Sequence, residues 1–418
     1  MRRPRSTSAR WFIILFVLGG ALLSALVACQ AKPVWKGSVK IGLIVPFYGY
    51  DSGSANAAYF ATKLALKERN ESGGVGGQWV ELVALDDQNN REVAARRARE
   101  LVLDPDIMGV IGHLSSDTAL GAAPVYREAG LVAITLGATA TELALSYPEI
   151  LRMAPDDALS ATRALQTIAG RVKVRRIAVL HDASAGHSAA AEAFLAEAKR
   201  RKLDVAAVVQ VEKVQRDFAP FLQALSSNPP QLLVFVGDQF QAAAFARQVR
   251  ASPFHDIFKE SRILIAGCAS TPDFVKIGGE AANGVLHEEA VGLLDTAKQD
   301  RDGAGTSEAD TVGQFVAHYR SLTGLSPTAY AFAAYDATVS LLSAMSKAAA
   351  SDGNINRTST TQEMRKAMVS AGPAASVGFG YNSGFGTGSI FGQDGGRRGV
   401  VPQLYEIDES GYPGRLWQ

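Results

Sequence analysis

Cysteine is nearly absent from this chain: 418 residues contain only Cys29 and Cys268. There is no Cys-x-x-Cys pair and no His-x-x-x-His array, so a structural zinc site lacks candidate ligands. Excess charge of either sign is missing too. The 42 Lys and Arg nearly balance 41 Asp and Glu, leaving a net +1, and no basic stripe follows any expected helix. Nothing therefore points to nucleic acid. The phosphate-cradling G-x-x-x-x-G-K-[ST] and the nucleophile elbow G-x-S-x-G are both absent. What is present is a globular composition, 47% hydrophobic and 20% charged, in a chain long enough for two domains.

The first 28 residues read as a segment apart from the fold. Arg2, Arg3, Arg5 and Arg10 precede an apolar run from Trp11 to Val27, and small residues then lead to Cys29, the build of a secretory signal. A retained anchor of about minimum spanning length is the competing reading. Leu26-Val27-Ala28-Cys29 looks like a bacterial lipobox, so residues 1–28 are expected to be a lipoprotein signal peptide. Cys29 would carry the lipid, and 29–37 would be a spacer. The expected location is extracytoplasmic, anchored to a membrane by lipid. Loss of the four arginines takes the net charge from +1 to −3. Cys268 is then alone, with no intramolecular disulfide available, and reads as a small buried residue after a strand.

From Ser38 onward, strands and helices alternate. Expected strands are Val39–Val45 and Val80–Leu85, and expected helices Ala55–Glu71 and Arg91–Leu103, with the glycine-rich 72–77 stretch between. A second series follows: helix Asp157–Gly170, strand Arg176–Leu180, helix Ala189–Arg201, strand Val205–Val211, helix Phe218–Ser226, strand Leu232–Val236, helix Phe240–Ala251 and strand Ile263–Ala266. Strands that are apolar on both faces and separated by helices imply parallel sheets covered on both sides. The fold class is α/β with two lobes. Residues 292–306 read as a surface loop, helices Ala309–Thr323 and Thr328–Ala348 follow, and the Gly/aromatic stretch 378–388 reads as a hinge-adjacent loop before a strand over Val400–Ile407.

The segment Val110 to Ala144 organises the first series. It reads as strand, small polar turn, helix Asp117–Ala129, strand Val132–Thr135 and a second small polar turn. In open α/β sheets ligands sit outside the carboxyl ends of strands. The hydroxyls of Ser115, Ser116 and Thr139, with the free N–H groups of a helix start near Asp117, would face one crevice suited to a carboxylate. Ordinary helix capping is the competing reading. A Ser-His-Asp set can be assembled on paper from Ser115 or Ser116, His181 or His187, and Asp182, but without the elbow context it is weak. His113, just past a buried strand, reads as structural. The chain is expected not to be an enzyme.

Val110–Ala144, the strand end at Asp86-Asp87, the helix stop at Asn70-Glu71-Ser72-Gly73-Gly74 and the strand Arg176–Asp182 together resemble the solute-binding proteins of branched-chain amino acid ABC transporters. The likeness covers nearly the whole chain after Ser38. It implies the type I periplasmic binding protein fold, two Rossmann-like lobes joined by a hinge of three crossings, near Pro155, His287 and 372–377. One lobe would comprise 38–155 plus 288–371, the other 156–287 plus 372–418. The resemblance further implies a carboxylate grip by Ser116 and Thr139, flanked by Leu114, Ser115, Gly137 and Ala138. Ser54, His187, Gln239 and Ala269 would occupy the remaining ligand positions.

Several of these positions depart from the family pattern. Ser54, His187 and Gln239 stand near places where the family has tyrosines. Cys268-Ala269-Ser270 stands where it has the carboxylate that pairs with the ligand's ammonium. Asp238 or Asp273 could substitute, each with a competing reading as a capping or surface residue. The family's disulfide would fall at Asn89 and Ser115, neither a cysteine. The function implied is capture of a small polar ligand, an amino acid, amide or related carboxylate, and its delivery to the membrane permease of an ABC transporter. No cofactor is implied, and a monomer is expected. A ligand-sensing ectodomain working with a signalling partner is the alternative.

Overall fold

The computed structural model describes residues 35–49, 51–266, 272–289, 307–353, 355–370, 391 and 402–417. Cys29, Cys268, the 292–306 loop, the 372–377 crossing and the glycine-rich 378–388 stretch lie outside them. Among the described residues, no helix is long and apolar enough to cross a membrane.

The first series contains β1 (Ser38–Val45), α1 (Ser52–Glu71), β2 (Trp79–Asp86), α2 (Arg91–Val102), β3 (Ile107–Ile111), α3 (Ser116–Glu128), β4 (Ala133–Thr135), α4 (Thr141–Ser146) and β5 (Ile150–Arg152). Its strands form one parallel sheet in the order β2-β1-β3-β4-β5. The second series contains α5 (Asp157–Arg171), β6 (Arg176–Asp182), α6 (Ala185–Arg200), β7 (Asp204–Val211), α7 (Ala219–Leu225), β8 (Leu232–Val236), α8 (Gln239–Arg250), α9 (Phe254–Ile257), β9 (Arg262–Ala266), α10 (Pro272–Gly278) and β10 (Leu286–Glu289). Then come α11 (Ser307–Thr323), α12 (Ala329–Asp352), α13 (Arg357–Ser370), β11 (Gln403–Asp408) and β12 (Gly411–Leu416). The second sheet runs β12-β11-β10-β9-β8-β6-β7, parallel except for its β11 and β12 edge.

The alternation of β1 shows how one strand serves two layers. Val39, Ile41, Leu43 and Val45 face a core with α1 and α12, which supply Ala58, Ala61, Phe332, Tyr335 and Leu341. Ile44 faces the opposite core with Ala98 and Leu101 of α2 and Ala122 of α3. Both faces are thus covered, as an all-parallel sheet requires. The chain passes from the first sheet to the second between Arg152 and Asp157, and the helices α11 to α13 return to pack on the first.

Each parallel core has the order 2-1-3-4-5 of a doubly wound sheet, β2-β1-β3-β4-β5 in one and β7-β6-β8-β9-β10 in the other. Crevices in such sheets open outside the carboxyl ends of the strands.

Candidate functional site

The strands β3 and β4 are parallel neighbours, with Val110 opposite Ala133 and Ile111 opposite Ile134, so the turns after them lie side by side. The N–H of Leu136 donates to the carbonyl of His113 at 3.0 Å, fastening one turn to the other. Ser116, 6% exposed, opens α3, and its hydroxyl oxygen accepts the N–H groups of Thr139 and Ala140, each at 3.1 Å. One side chain therefore fixes both turns. Leu114 and Ala138 are buried. Gly137 is required by close approach: a Cβ there would stand 2.4 Å from the Leu114 carbonyl oxygen.

Ser115 turns out differently from the shared-crevice expectation. It is the N-cap of α3, accepting the Thr118 N–H at 3.3 Å and lying 2.8 Å from the Thr118 hydroxyl. Its side chain is engaged by its own helix.

On the second sheet, β6 ends at Asp182, and Ser184 caps α6 by accepting the His187 N–H at 3.3 Å. The cap starts the helix at Ala185 rather than Ala189, so Gly186 and His187 belong to its first turn. His187 Nδ1 lies 2.8 Å from Asp182 Oδ1. Burial acts to raise the Asp182 carboxyl, but the His187 hydrogen bond and charge, with bonds from Ser184, overcome it and hold it at about 2. The two lobes meet here. Asp117 Oδ1 in α3 accepts the Gly186 N–H in α6 at 3.1 Å, bringing the strand ends of the two sheets together.

The remaining candidates are distributed around this junction. Ser54 lies in the first turn of α1, half-buried, because the helix begins at Ser52 and not at Ala55. Beside it, Asp51 makes no capping bond and accepts the Asn89 amide at 2.9 Å. Its carboxyl is raised by burial and by Asp87, against the opposing charge of His187. Asp238 is the N-cap of α8, with Oδ1 accepting the N–H groups of Phe240 at 2.7 Å and Gln241 at 2.8 Å. Its Oδ2 lies 3.7 Å from the Arg216 guanidinium. Gln239 follows, buried in the first turn. Asp273 is exposed at the start of α10. Ala269 lies outside the described residues.

Two acids at the junction were not singled out from the sequence. Asp157 opens α5, and its N–H donates to the Thr139 carbonyl at 3.1 Å. Burial pushes its carboxyl up to about 6 against a hydrogen bond from Thr139, and its Oδ2 is buried without a partner. Glu288, in β10, is pushed up to about 8 by burial and by Asp157, and its Oε1 is likewise buried and unpartnered. The available signal was the doubled acid Asp156-Asp157. Asp156 already caps α5, accepting the Leu159 N–H at 2.7 Å, which leaves the second acid surplus to capping.

Among the described residues, neither Ser115 nor Ser116 is hydrogen-bonded to the ring of His181 or His187; the hydroxyl near His181 is that of Ser188, 3.5 Å from its Nδ1. The Ser116 hydroxyl is occupied as an acceptor by two peptide groups, and among the described residues no serine hydroxyl bonds to the ring of His187. His113 lies 2.7 Å from Asp87 and 3.0 Å from the Tyr126 hydroxyl in a fully buried set, the structural role its position suggested. Among the described residues no cluster of His, Cys, Asp and Glu could hold a metal ion.

The periplasmic binding protein profile matches residues 38–394, the greater part of the chain. The chain belongs to the periplasmic binding protein family. This periplasmic binding protein is 26% identical over 300 residues to the Leu/Ile/Val-binding protein of Citrobacter freundii, covering 68% of this chain and 80% of that one. Among solved structures, a leucine-binding protein of Thermotoga maritima superposes with a TM-score of 0.71 at 21% identity, covering 89% of this chain and 96% of the other. The branched-chain amino acid substrate-binding protein of Streptococcus pneumoniae, solved with isoleucine, gives 0.70 at 18% identity, covering 88% and 95%. The two-lobed type I fold expected from the sequence is the fold these neighbours share. Members of the family are binding proteins.

Proposed function

We propose that this protein is an extracytoplasmic solute-binding lipoprotein that captures a small amino acid between its two lobes and hands it to the permease of an ABC transporter. The lobes would be divided at the Pro155 and His287 crossings. Cys29 would carry the lipid anchor. The start of α3 at Ser116 would hold the ligand's carboxylate through its free N–H groups, with Thr139 facing it and Leu114, Ser115, Gly137 and Ala138 contributing backbone. Ser54, His187, Gln239 and Ala269 would line the rest of the pocket, and Asp238 would act as a helix cap at its edge.

The observation that carries this reading is the buried, unpartnered Oδ2 of Asp157 beside Thr139. An ammonium buried by closure needs a counter-charge, since leaving it unpaired costs several kcal/mol. The acid missing from Cys268-Ala269-Ser270 is replaced, on this reading, by Asp157. The ligand then keeps its amine.

Thermal unfolding against leucine, isoleucine, valine, the oxo-acid and the amide of leucine, and a wider amino-acid panel tests this. The chain from Gln30 onward, which carries every described element, is the material to use. A ligand at 100 times its dissociation constant adds roughly 2.7 kcal/mol, a rise of about 3 °C for a chain of this size. Stabilisation by an amino acid and not by the matching oxo-acid supports the reading. A preference for the oxo-acid overturns the role of Asp157.

A further inference from the structure

The contact between Asp117 and Gly186 joins the two sheets' helix starts directly. Asp117 lies in the first turn of α3, and Gly186 in the first turn of α6. The free N–H groups of both helix starts bring positive ends toward the same gap, and like ends repel. A carboxylate between them turns that repulsion into attraction. Asp117 supplies it from its own helix while its Oδ1 accepts the Gly186 N–H at 3.1 Å. Lys213, just past the end of β7, brings its ammonium to 4.0 Å from Asp117 Oδ2, so a second group of the second series faces the same carboxylate.

The fit depends on residue 186 having no side chain. A Cβ at Gly186 would stand 2.9 Å from Ser116 Cβ, closer than such atoms approach. Where the resembled family carries a tyrosine near this point, this chain has a glycine that lets the two helices touch. The helix start bearing the proposed carboxylate grip is therefore also the surface on which the lobes close.

We propose that Asp117 is a positioning residue for capture, a lobe-to-lobe lock that favours the closed form and so sets how tightly ligand is retained. The contact exists only when the strand ends meet, so it stabilises the closed form alone. Apparent affinity scales with the fraction of protein that is binding-competent. The affinity arm of this inference rests on the capture reading above, whereas the closure arm rests on the contact geometry.

The test compares the chain from Gln30 onward with its Asp117→Ala, Asp117→Asn and Gly186→Ala variants. The measurements are small-angle scattering without ligand and calorimetric titration with leucine and the other panel members. Asp117→Ala is expected to increase the ligand-free radius of gyration and to weaken affinity on the order of tenfold, mostly through faster dissociation. Asp117→Asn keeps an acceptor oxygen and should fall between. Gly186→Ala leaves the carboxylate in place but forces the helices apart, so it should expand the protein in the same direction.

If Asp117→Ala lowers only the unfolding midpoint, with radius and affinity unchanged, Asp117 serves its own helix and the proposal is overturned. Identical radii across the ligand-free series overturn it as well. If no panel member binds the parent protein, the capture reading fails, and the radii alone decide whether the lock exists.

Discussion

Replacing Asp157 with Asn should move stability and ligand response in opposite directions. In the ligand-free protein its carboxyl is raised from 3.8 to about 6, first by burial and against the Thr139 hydrogen bond. At about 1.36 kcal/mol per unit, that shift corresponds to a cost of roughly 3 kcal/mol for holding the ionised acid in place at neutral pH. The folded state binds the proton more tightly than the unfolded one, so the cost is absent below about pH 4. It grows as pH rises to 6 and is complete above that. Asp157→Asn removes the charge and keeps the shape. The new amide is itself imperfectly paired, so the gain at pH 7 is bounded above by about 3 kcal/mol.

Denaturant unfolding of the ligand-free protein at pH 4.5 and pH 7 checks the sign. The variant should gain on the parent at pH 7 and lose most of that advantage at pH 4.5. The same variant, titrated with the amino acid that best stabilises the parent, should show affinity reduced by 100-fold or more, the order expected when a buried ammonium loses its partner. A variant that is less stable at pH 7 and still binds normally would make Asp157 a paired structural acid and not the ammonium's partner.

Other perturbations have equally definite outcomes. Ser116→Ala leaves the N–H groups of Thr139 and Ala140 without their acceptor and should cost about 1–3 kcal/mol in denaturant unfolding; with Thr139→Ala added, calorimetric binding should vanish. His187→Gln removes the hydrogen bond and charge that, with Ser184, hold Asp182 at about 2, and should lower stability in denaturant unfolding. That contribution is present above the ordinary carboxylate range and is lost as pH falls from 4 toward 2, so parent and variant should converge in acid unfolding. Cys29→Ser should abolish incorporation of labelled fatty acid into the full-length protein expressed in a bacterial host. Labelling that persists would place the lipid elsewhere.

The regular frame was legible because parallel strands buried on both faces read as continuous apolar runs, and Leu232–Val236 coincides with its observed strand. The turn pair at Ser116 and Thr139 was legible because small polar residues followed two such runs at matching points. The acids at the junction were not, because their burial comes from the meeting of distant segments. Asp157 resembles any helix-opening acid until Glu288 is brought near it by the second crossing. The strand Leu286–Glu289 is half charged and gives no apolar run. Helix α13 carries no apolar stripe for a sequence to show. Its buried face holds Ser359, Thr360 and Thr361 beside Met364, and Arg357 Nε fixes it by donating to the Ile107 carbonyl at 2.9 Å. The N-terminal turn of α6 was hidden by Gly186, a residue that reads as a turn but here serves close approach.

On the proposed reading an amino acid sits between the strand ends, with its carboxylate on the Ser116 and Thr139 turns and its ammonium at Asp157. A crystal structure of the protein grown with the amino acid that stabilises it most tests this directly. The ligand carboxylate should lie within hydrogen-bond distance of those turns and the ammonium within hydrogen-bond distance of Asp157 Oδ2. A ligand bound outside the junction, or one whose carboxylate points away from Ser116, would contradict it.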